Sequence, residues 1–507
     1  MLNRYPNKRP NIRQQTKLAV IANIRHTCKL SRFSLSPASP VSFLQDTFLT
    51  IEFSTLPLTP AMLANLASMD YRYMTPVQAE SLPHILENKD LIAQAKTGSG
   101  KTAAFGIGLL AKLDPNANEI QALVLCPTRE LADQVAKELR KLARFIPNIK
   151  ILTLCGGTPL GPQLESLSHG ADIVVGTPGR IQDHLQKASL QLDRIKTLVL
   201  DEADRMLDMG FNDAISAIIA TTPRTRQTLL FSATYPAGID KLSGSFQKQP
   251  ARVSVESLHS STQIEQWFYE IEDTKRLHTL SALLGHYQLE SSVIFCNTKI
   301  QCQDVADHLQ DKGIDALALH GDLEQKDRDL VLVRFANKSC SVLVATDVAA
   351  RGLDIKDLQA VINFELSPDP EVHVHRIGRT GRAGKQGIAL SLYSPAEAHR
   401  VIAIEAYQKN PAHTQQPTSL NTAAAYSQQA PMVTLCIDGG RKQKVRPGDI
   451  LGAITGDAGI PGQHVGKIDI FDFHAYVAIE RSIADKALQR LSQGKIKGRN
   501  FKIRKVR

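Results

Sequence analysis

The sequence predicts an α/β protein with two parallel-sheet domains in tandem and a small α+β domain at the C-terminal end. The first observation is length, because 507 residues exceed what one hydrophobic core can hold and indicate about two to four domains. The second is rhythm: short apolar runs alternate with helical stretches in two successive series. The third is a change of composition after residue 410, where Gln, Thr, Pro and Ala dominate.

These observations divide the chain into five predicted segments. Residues 1–48 form a basic, disordered extension, 49–255 the first α/β domain, 256–410 the second, 411–431 a linker, and 432–507 the small C-terminal domain. The apolar runs of the two α/β domains are typical of parallel strands buried on both faces. They lie at 122–125, 149–154, 172–175, 198–200 and 228–231 in the first domain, and at 292–295, 316–319, 341–344 and 360–363 in the second.

Composition excludes several classes of protein. With 43% hydrophobic and 22% charged residues the chain is typical of globular domains. No apolar run approaches the roughly 20 residues that a membrane helix requires, so a membrane protein is not expected. The seven cysteines are an odd number without a CxxC pair, which favours free thiols in a reducing compartment over disulfides or structural zinc.

The net charge of +10 is concentrated at the two ends of the chain. Residues 1–45 contain eight Lys/Arg and no Asp/Glu, and residues 431–507 contain fifteen Lys/Arg against seven Asp/Glu. This distribution predicts that attraction to polyanions lies largely at the ends, although a merely solvated basic surface stays open for either end. For the N-terminal extension, a disordered tail, an organelle transit peptide and a misassigned start all remain open.

A glycine-rich turn provides the first half of a predicted nucleotide site. Between a strand and a helix, such a turn lets backbone N–H groups surround phosphate oxygens. The lysine of the turn would reach the β- and γ-phosphates and the following threonine would bind Mg²⁺. The strict pattern of such phosphate-binding turns has glycine at its first position, where this chain has Ala95. The turn comprises Ala95, Lys96, Thr97, Gly98, Ser99, Gly100, Lys101 and Thr102.

An acidic cluster at the end of an apolar run provides the second half. Asp201, at the end of a buried parallel strand, would complete the magnesium site with Thr102, and Glu202 is placed to activate a water. Either feature alone is compatible with an ordinary turn between strand and helix. Together they predict a catalytic site for ATP with Mg²⁺.

Three arginines of the second domain recur at a spacing of three residues: Arg376, Arg379 and Arg382. This spacing predicts one side of a helix, where clustered guanidinium groups repel each other unless an anion is near. A triphosphate bound to the first domain would provide that anion, with the arginines reaching it when the domains close. A solvated basic helix face is the alternative.

With these features in place, the chain resembles the DEAD-box family of ATP-dependent RNA helicases over about residues 53 to 396. The resemblance implies two RecA-like domains and RNA-dependent hydrolysis of ATP. It implies that Gln78 pairs with the adenine edge and that Tyr71 stacks on the base, with Phe53 upstream. Asp70 stands where the family usually has glycine. Asp354 would hold the ribose, and Arg379 and Arg382 would hold the γ-phosphate.

The resemblance also assigns contacts to the RNA backbone and a coupling element. Ser232 and Thr234, with Asp204, would couple hydrolysis to strand separation, although both hydroxyl groups are also suited to cap the next helix. Similarly, the turn at Pro178-Gly179 has a purely structural alternative. The implied RNA contacts are Pro127, Thr128, Arg129, Gly157, Thr177, Gly179, Arg180, Asn297, Thr298, Gly321 and Thr346.

The C-terminal segment is similar to the accessory domain of the DbpA-like subfamily. In that subfamily the domain has an RNA-recognition-motif-like α+β fold and binds a hairpin of large-subunit ribosomal RNA. Strands are predicted at 475–479 and 501–503. The aromatic residues Phe471, Phe473 and Tyr476 would stack on bases or belong to the core. The predicted phosphate contacts are Arg441, Lys442, Lys444, Arg446, Lys495, Lys497 and Arg499.

The sequence therefore predicts a cytoplasmic, monomeric RNA helicase that uses ATP and Mg²⁺ in assembly of the large ribosomal subunit. Its expected partners are RNA, in particular a ribosomal RNA hairpin, and pre-ribosomal particles. Two other functions remain open. One is a DNA translocase of the same superfamily, against which Gln78 and the acidic cluster argue. The other is an RNA clamp that unwinds little.

Overall fold

A computed structural model describes residues 51–95, 98–234, 237–255, 264–350, 358–381, 386–420 and 428–506. The predicted extension at 1–48 lies outside these ranges. Within the described residues, two seven-stranded parallel sheets and a four-stranded antiparallel sheet follow one another along the chain. The predicted fold class, two RecA-like domains in tandem with a small α+β domain, is thereby confirmed.

The first domain has the strand order β3-β4-β2-β5-β6-β1-β7, with all described neighbours parallel. Each of the strands β1 to β6 is followed by a helix that returns across a face of the sheet, as parallel pairing requires. The elements are α1 (Pro60–Ser68), α2 (Pro76–Leu86), β1 (Leu91–Gln94), α3 (Lys101–Leu110), β2 (Ala122–Leu125), α4 (Arg129–Leu142), β3 (Ile151–Leu154), α5 (Leu160–Ser168), β4 (Ile173–Gly176), α6 (Pro178–Gln186), β5 (Thr197–Asp201), α7 (Ala203–Asp208), α8 (Asn212–Ala220), β6 (Gln227–Ser232), α9 (Ala237–Phe246) and β7 (Ala251–Ser254).

Alternating side chains of each strand supply the two halves of this core. On β2, Val124 packs in the cluster that contains Phe105, whereas Leu123 and Leu125 pack in the opposite cluster with Ile181. Because both faces are covered by helices, every residue of β2 is buried. This burial explains why the strands read as continuous apolar runs and not as an alternating pattern.

The second domain repeats the architecture with the order β10-β11-β9-β12-β13-β8-β14. Its core is again divided by the sheet, with Ile294 on one side and Val293 on the other. The elements are β8 (Ile264–Glu270), α10 (Arg276–Tyr287), β9 (Ser292–Cys296), α11 (Lys299–Asp311), β10 (Ala316–Leu319), α12 (Gln325–Ala336), β11 (Val342–Thr346), α13 (Asp347–Ala350), β12 (Ala360–Asn363), α14 (Pro370–Ile377), β13 (Gly387–Tyr393), α15 (Ala398–Gln408) and β14 (Thr414–Gln415).

The segment 411–431, predicted to be a linker, is partly built into this second domain. Its strand β14 pairs with β8, and Leu420 is buried in the second-domain core. Further along, the Gln428 N–H donates to the Gly313 carbonyl over 3.2 Å, and Ala430 is fully buried. The segment is mostly polar in composition, and for that reason its sequence predicted a linker. A few apolar side chains are nevertheless enough to pack it against the second domain.

The C-terminal domain is a four-stranded antiparallel sheet of order β16-β17-β15-β18 with helices on one side. Leu435 and Ile437 face its core, together with Ile450 and Leu491 from the helices. The strand predicted at 501–503 begins two residues later, at Ile503. The elements are β15 (Met432–Ile437), α16 (Pro447–Gly452), β16 (Val465–Ile470), β17 (Ala475–Glu480), α17 (Ala484–Gln493) and β18 (Ile503–Lys505).

The C-terminal domain is attached to the second domain by polar contacts. Arg481 forms an ion pair with Asp315 over 2.7 Å and donates from Nε to the Ala430 carbonyl over 2.6 Å. Beside this pair, Thr434 is buried against Ser339, with which it exchanges a hydroxyl hydrogen bond. These contacts fix the orientation of the C-terminal sheet relative to the second domain.

The described cysteines have free thiols and are all buried. Across the described ranges, none of the helices combines the length and the apolar character that crossing a membrane would demand.

Candidate nucleotide and RNA site

The glycine-rich turn lies between β1 and α3, as predicted. Gly98 and Gly100 have φ values of +82° and +96°, which L-residues with side chains rarely adopt. Gly100 immediately precedes the first residue of α3. The backbone N–H groups of the first turn of α3, which have no partner within the helix, therefore lie at the glycine-rich turn. Among the described residues, the buried hydroxyl oxygen of Ser99 has no hydrogen-bond partner, as expected of a group that binds a phosphate. Lys96 and Thr97 lie outside the described residues.

Lys101 is held at the base of this turn. Its side chain is 7% exposed, and Nζ donates to the Ala95 carbonyl over 2.7 Å. Ala95 itself is buried and its N–H donates to the Ser232 carbonyl over 2.9 Å. The alanine that replaces the usual glycine therefore serves through its backbone, which its methyl group does not obstruct.

The acidic cluster ends β5 beside this turn. Burial raises the pKa of Asp201 to about 7, while the nearby Lys101 ammonium partly opposes the rise. Glu202 adopts φ +53° and ψ +52°, a left-handed conformation that ends the strand sharply and begins α7. Because burial disfavours the charged form of Asp201, a cation bound beside this carboxylate would stabilise it. The carboxylate oxygens of Asp201 and the hydroxyl of Thr102 are the type of ligand that Mg²⁺ prefers.

The predicted coupling residues lie together. Thr234 donates from its hydroxyl to Asp204 Oδ2 over 2.8 Å and from its N–H over 3.3 Å. The Asp204 N–H in turn donates to the Ser232 hydroxyl over 3.4 Å. The two hydroxyl groups thus link β6 to the start of α7. The other oxygen of Asp204, Oδ1, is buried without a partner.

The residues expected around adenine are occupied by internal contacts. Gln78 is 5% exposed; its Oε1 accepts from the Thr75 N–H over 2.9 Å, and its Nε2 donates to the Gly100 carbonyl over 3.2 Å. Tyr71 donates to Glu138 Oε1 over 3.0 Å, and burial together with this carboxylate raises its pKa to about 12. Phe53 is 3% exposed and belongs to the core. Gln78 therefore connects the adenine motif directly to the glycine-rich turn.

Of the three arginines of the second domain, Arg376 and Arg379 do not share one helix face. Arg376 is 2% exposed in α14 and forms two hydrogen bonds of 2.7 Å with the Asp347 carboxylate. Its charge is neutralised inside the domain, so the prediction that Arg376 requires a bound triphosphate was wrong. The helix ends at Ile377, and Arg379 lies in the following turn. Arg382 and the ribose candidate Asp354 lie outside the described residues.

Arg379 nevertheless faces the acidic cluster of the first domain. It lines a cavity of about 40 Å³ between the two domains, together with Glu202, Asp204 and Asp347. At the rim of this cavity Arg205 of α7 donates to Nδ1 of His375 on α14. The described cleft thus places a second-domain guanidinium beside the predicted catalytic carboxylates.

The first-domain RNA candidates cluster at the beginnings of α4 and α6. Thr128 caps α4 by accepting from the Leu131 N–H over 3.3 Å. The Arg129 guanidinium lies directly over Gly157, at a place where the Cβ of any larger residue would collide with it. Arg180 donates to the Thr158 carbonyl over 3.1 Å. The remaining candidates lie at the same ends of the sheet: Pro127 after β2, Thr177 after β4, and Gly179 in the first turn of α6.

The second-domain candidates also follow strand ends. Thr298 caps α11 by accepting from the Gln301 N–H over 3.3 Å. The Asn297 side chain is consumed internally, since its Oδ1 accepts from Arg376 over 2.8 Å and its Nδ2 donates to the Leu366 carbonyl over 3.1 Å. Gly321 follows β10 and Thr346 ends β11. The Asn297 N–H also donates to Glu365 Oε2 over 3.2 Å, so neither the side-chain amide nor the backbone N–H is available to RNA unless this network opens.

The basic candidates of the C-terminal domain are exposed. Arg441 pairs with Asp472 over 3.4 Å at 65% exposure, and Lys497 donates to the Lys444 carbonyl over 2.9 Å. Lys442 and Lys495 are likewise exposed. Of the three aromatic side chains, Phe473 is 60% exposed, whereas Phe471 and Tyr476 pack against each other edge to face. Phe473 is therefore the aromatic side chain of the three that is best placed to stack on a base.

One contact between the domains had no signal in the sequence. Glu130 of α4 pairs with Arg328 of α12 over 2.9 Å, with side-chain exposures of 12% and 14%. Next to it, Arg129 donates to Gln325 Oε1. The paired residues are almost 200 positions apart along the chain, and no spacing in the sequence indicates that they meet.

A glycine-rich turn and an acidic strand end in one parallel-sheet domain, facing an arginine of a second such domain, define an ATPase built from two RecA-like domains. The chain belongs to the DEAD-box family of ATP-dependent RNA helicases and is an RNA-dependent ATPase. It matches the DEAD/DEAH box helicase model at residues 75–242, the helicase conserved C-terminal domain at 275–384, and the DbpA RNA binding domain at 434–505.

Curated relatives agree with these matches. The chain is 56% identical over 453 residues to the ATP-dependent RNA helicase DbpA of Escherichia coli K12, covering 89% of this chain and 99% of that protein. It is 42% identical over 382 residues to the DEAD-box ATP-dependent RNA helicase CshA of Bacillus subtilis, covering 75% and 77% respectively.

Solved structures of related helicases superpose on the two RecA-like domains. S. cerevisiae Dbp5 bound to RNA and ADP BeF3 gives a TM-score of 0.65 at 29% identity, covering 72% of this chain and 96% of that one. Mss116p bound to ssRNA and AMP-PNP gives 0.65 at 28% identity, covering 72% and 80%. Dbp5 in a complex with Nup159, Gle1 and ADP gives 0.53 at 29% identity, covering 71% and 95%.

Proposed function

We propose that this helicase remodels large-subunit ribosomal RNA during ribosome assembly, acting as a monomer in the cytoplasm. The observation that carries the proposal is the match of residues 434–505 to the DbpA RNA binding domain, in a segment with a large excess of Lys and Arg. A domain that binds one ribosomal hairpin would bring a sequence-indifferent helicase core to that part of the RNA.

The proposed chemistry assigns one role to each group around the turn. The N–H groups at the start of α3 and the Lys101 ammonium bind the phosphates. Asp201 and Thr102 would hold Mg²⁺, which neutralises phosphate charge when it is bound. Glu202 orients and deprotonates the attacking water. Arg379, together with Arg382, stabilises the charge that develops on the γ-phosphate.

The proposed mechanical step is closure of the two domains over one RNA strand. The higher similarity to the two RNA-bound relatives than to the complex with Nup159, Gle1 and ADP supports a closed arrangement of the present structure. Contacts from α4 and α6 on one side, and from the ends of β9 and β11 on the other, would hold a bent strand. A bent strand does not fit an A-form duplex, so base pairs are lost locally.

Hydrolysis would be transmitted through the coupling residues. Asp204 accepts a hydrogen bond from the Thr234 hydroxyl in the first domain, and Glu371 of the second domain lies close to the same hydroxyl. A change at Glu202, two residues before Asp204, therefore reaches the domain interface through two side chains. We propose that phosphate release breaks this chain and reopens the cleft.

Steady-state ATPase activity of the full-length protein tests the RNA target. We expect strong stimulation by a large-subunit ribosomal RNA fragment with the peptidyl-transferase hairpin and weaker stimulation by poly(A) at the same nucleotide concentration. Equal stimulation by both RNAs would contradict the ribosomal target while leaving the helicase intact. No stimulation by the ribosomal fragment would contradict the target and the predicted RNA contacts together.

The C-terminal contacts are tested by charge removal and not by truncation, because Thr434 and Arg481 pack on the second domain. Replacing Arg441, Lys442, Lys495 and Lys497 by glutamine should remove the preference for the hairpin without changing the maximal ATPase rate. Binding of RNA weakens as salt is added, and the logarithm of the binding constant falls linearly with the logarithm of the salt concentration. Removal of each phosphate-binding charge should reduce the slope of this line by about one unit. The matched control is Lys486→Gln on α17, which should keep both the preference and the slope.

The role of Glu202 is tested by Glu202→Gln. This variant should bind ATP and RNA but turn over at least about 100-fold more slowly, since the group that accepts the water proton is gone. The protein should then remain on RNA after excess competitor RNA is added. Normal multiple turnover would remove Glu202 from its proposed role.

A further inference from the structure

A cavity of about 610 Å³ opens at the outer edge of the second sheet, away from the nucleotide cleft. It lies beside β8, between the end of α10 and the end of α15, and the segment that leads into β14 closes one side. The helicase chemistry described above uses none of the residues that line it. Its volume is in the range of pockets that bind small ligands or peptide side chains.

The edge of β8 at this cavity is open. Strand β14 pairs with β8 only at Phe268 and Tyr269. Among the residues that the structure describes, no strand covers the outer edge of 264–267. Unpaired backbone groups along a strand edge are a template for an additional strand.

The described lining of the cavity is negatively charged although the protein is basic. It includes Glu265 and Glu405 and, among the described lining residues, no lysine or arginine. Glu265 Oε1 accepts from the Trp267 indole over 2.6 Å, and Glu405 Oε1 accepts from the Ala412 N–H over 2.7 Å. Within the described part of the chain, no donor is recorded for the second oxygen of either carboxylate. Nearby, Oε1 of Gln266 is buried without a donor, so the site also holds an unsatisfied acceptor.

Aromatic side chains complete the site. Trp267 and His413 pack at a ring-centroid distance of 5.7 Å, and Tyr287 belongs to the same lining. The Trp267 indole beside the Glu265 carboxylate is a favourable environment for a guanidinium group, which stacks on an aromatic ring and donates to oxygen in its own plane. Glu405 lines the same cavity from the side of α15. An isolated phosphate or nucleic acid backbone would instead meet two like charges.

We propose that this cavity binds an arginine-bearing extended segment of a partner protein, which adds to the open edge of β8 and places a guanidinium in the space lined by Trp267, Glu265 and Glu405. The main-chain hydrogen bonds of the added strand give affinity, and the carboxylates select arginine. The site is independent of the ribosomal target, since it shares no residue with the RNA contacts.

Fluorescence of the full-length protein tests the proposal directly, because Trp267 is the only tryptophan in the chain. The probe is a short, end-capped peptide of alternating valine and arginine, and the matched peptide has citrulline in place of arginine. We expect a saturable change of emission with the arginine peptide. Binding should be at least about fivefold weaker with the citrulline peptide or with the Glu405→Gln protein, as loss of a charged hydrogen bond requires.

Two further proteins make the result unambiguous. Glu272→Gln, at a carboxylate of 70% exposure on the same domain, should bind the peptide as the parent does. Glu265→Gln, measured by calorimetry because Glu265 contacts the indole, should weaken binding like Glu405→Gln. Equal melting temperatures exclude misfolding as the cause.

Several outcomes would overturn the proposal. These are an absence of saturable emission change, equal affinity for the citrulline peptide, or unchanged affinity in both carboxylate variants. A saturable emission change with poly(U) that displaces the peptide would assign the cavity to RNA and would equally overturn it.

Discussion

The Glu130–Arg328 ion pair should stabilise the closed arrangement of the two RecA-like domains. The two charged atoms are 2.9 Å apart and both side chains are largely buried, so screening by solvent is weak. A charge-assisted hydrogen bond of this kind is worth about 2 kcal/mol. Glu130→Gln or Arg328→Gln should therefore raise the RNA concentration for half-maximal ATPase activity about 30-fold.

A double-mutant cycle gives the coupling between the two side chains. If the pair acts as a unit, the double variant should cost about as much as either single variant, which corresponds to a coupling of about 2 kcal/mol. The assay is steady-state ATPase activity titrated with RNA at saturating ATP. The maximal rate should change little, because neither residue touches the nucleotide.

Arg252→Gln is the matched control. Arg252 pairs with Asp240 over 2.7 Å, but both belong to the first domain and both are more than half exposed. Its loss should shift the RNA titration less than about twofold. Additive effects of Glu130→Gln and Arg328→Gln, or an RNA titration unchanged by either, would refute a closing role for the pair.

Three further variants test features of the described structure. Gly100→Ala should weaken binding of a fluorescent ADP at least about tenfold, because at φ +96° the new Cβ would lie 2.5 Å from Gln78 Nε2; unchanged binding would contradict the tight contact. Arg376→Lys should lower the stability of the second domain by about 3 kcal/mol in urea, since one ammonium cannot replace both bonds to Asp347. Burial lowers the pKa of Lys112 to about 8, so folding favours its neutral form. Lys112→Met should therefore be more stable than the parent by about 2 kcal/mol below pH 8, and this advantage should disappear as the pH rises to about 10.5; a constant advantage would contradict the pKa shift.

The parts of the site that lie in continuous sequence could be predicted from it. Lys101, Asp201 and Glu202 lie at or just after strand ends, and parallel strands bring their ends to one edge of a sheet. The fold class followed from the same apolar runs. These features depend on local spacing, which one sequence displays fully.

Features that depend on tertiary contacts could not be predicted. The spacing of Arg376 and Arg379 suggested a common face, but α14 ends between them and Asp347 neutralises the first. Asn297 was expected to face RNA, yet its amide completes the hydrogen bonds of Arg376. The pairing of Glu130 with Arg328 joins residues of two domains, and no periodicity indicates such a pair. In each case the decisive partner is distant in sequence.

The Asp315–Arg481 ion pair and the buried Thr434 attach the C-terminal domain to the second domain. On the proposed function, an RNA hairpin bound to the C-terminal domain would keep a constant distance from Thr298 and Thr346 while the cleft opens and closes. The reach of the enzyme along an RNA would then be a fixed radius set by one protein interface, and not a range set by a flexible tether. Duplexes outside that radius would be passed over however long the enzyme stays bound, so the interface itself selects which helix of a large RNA is opened.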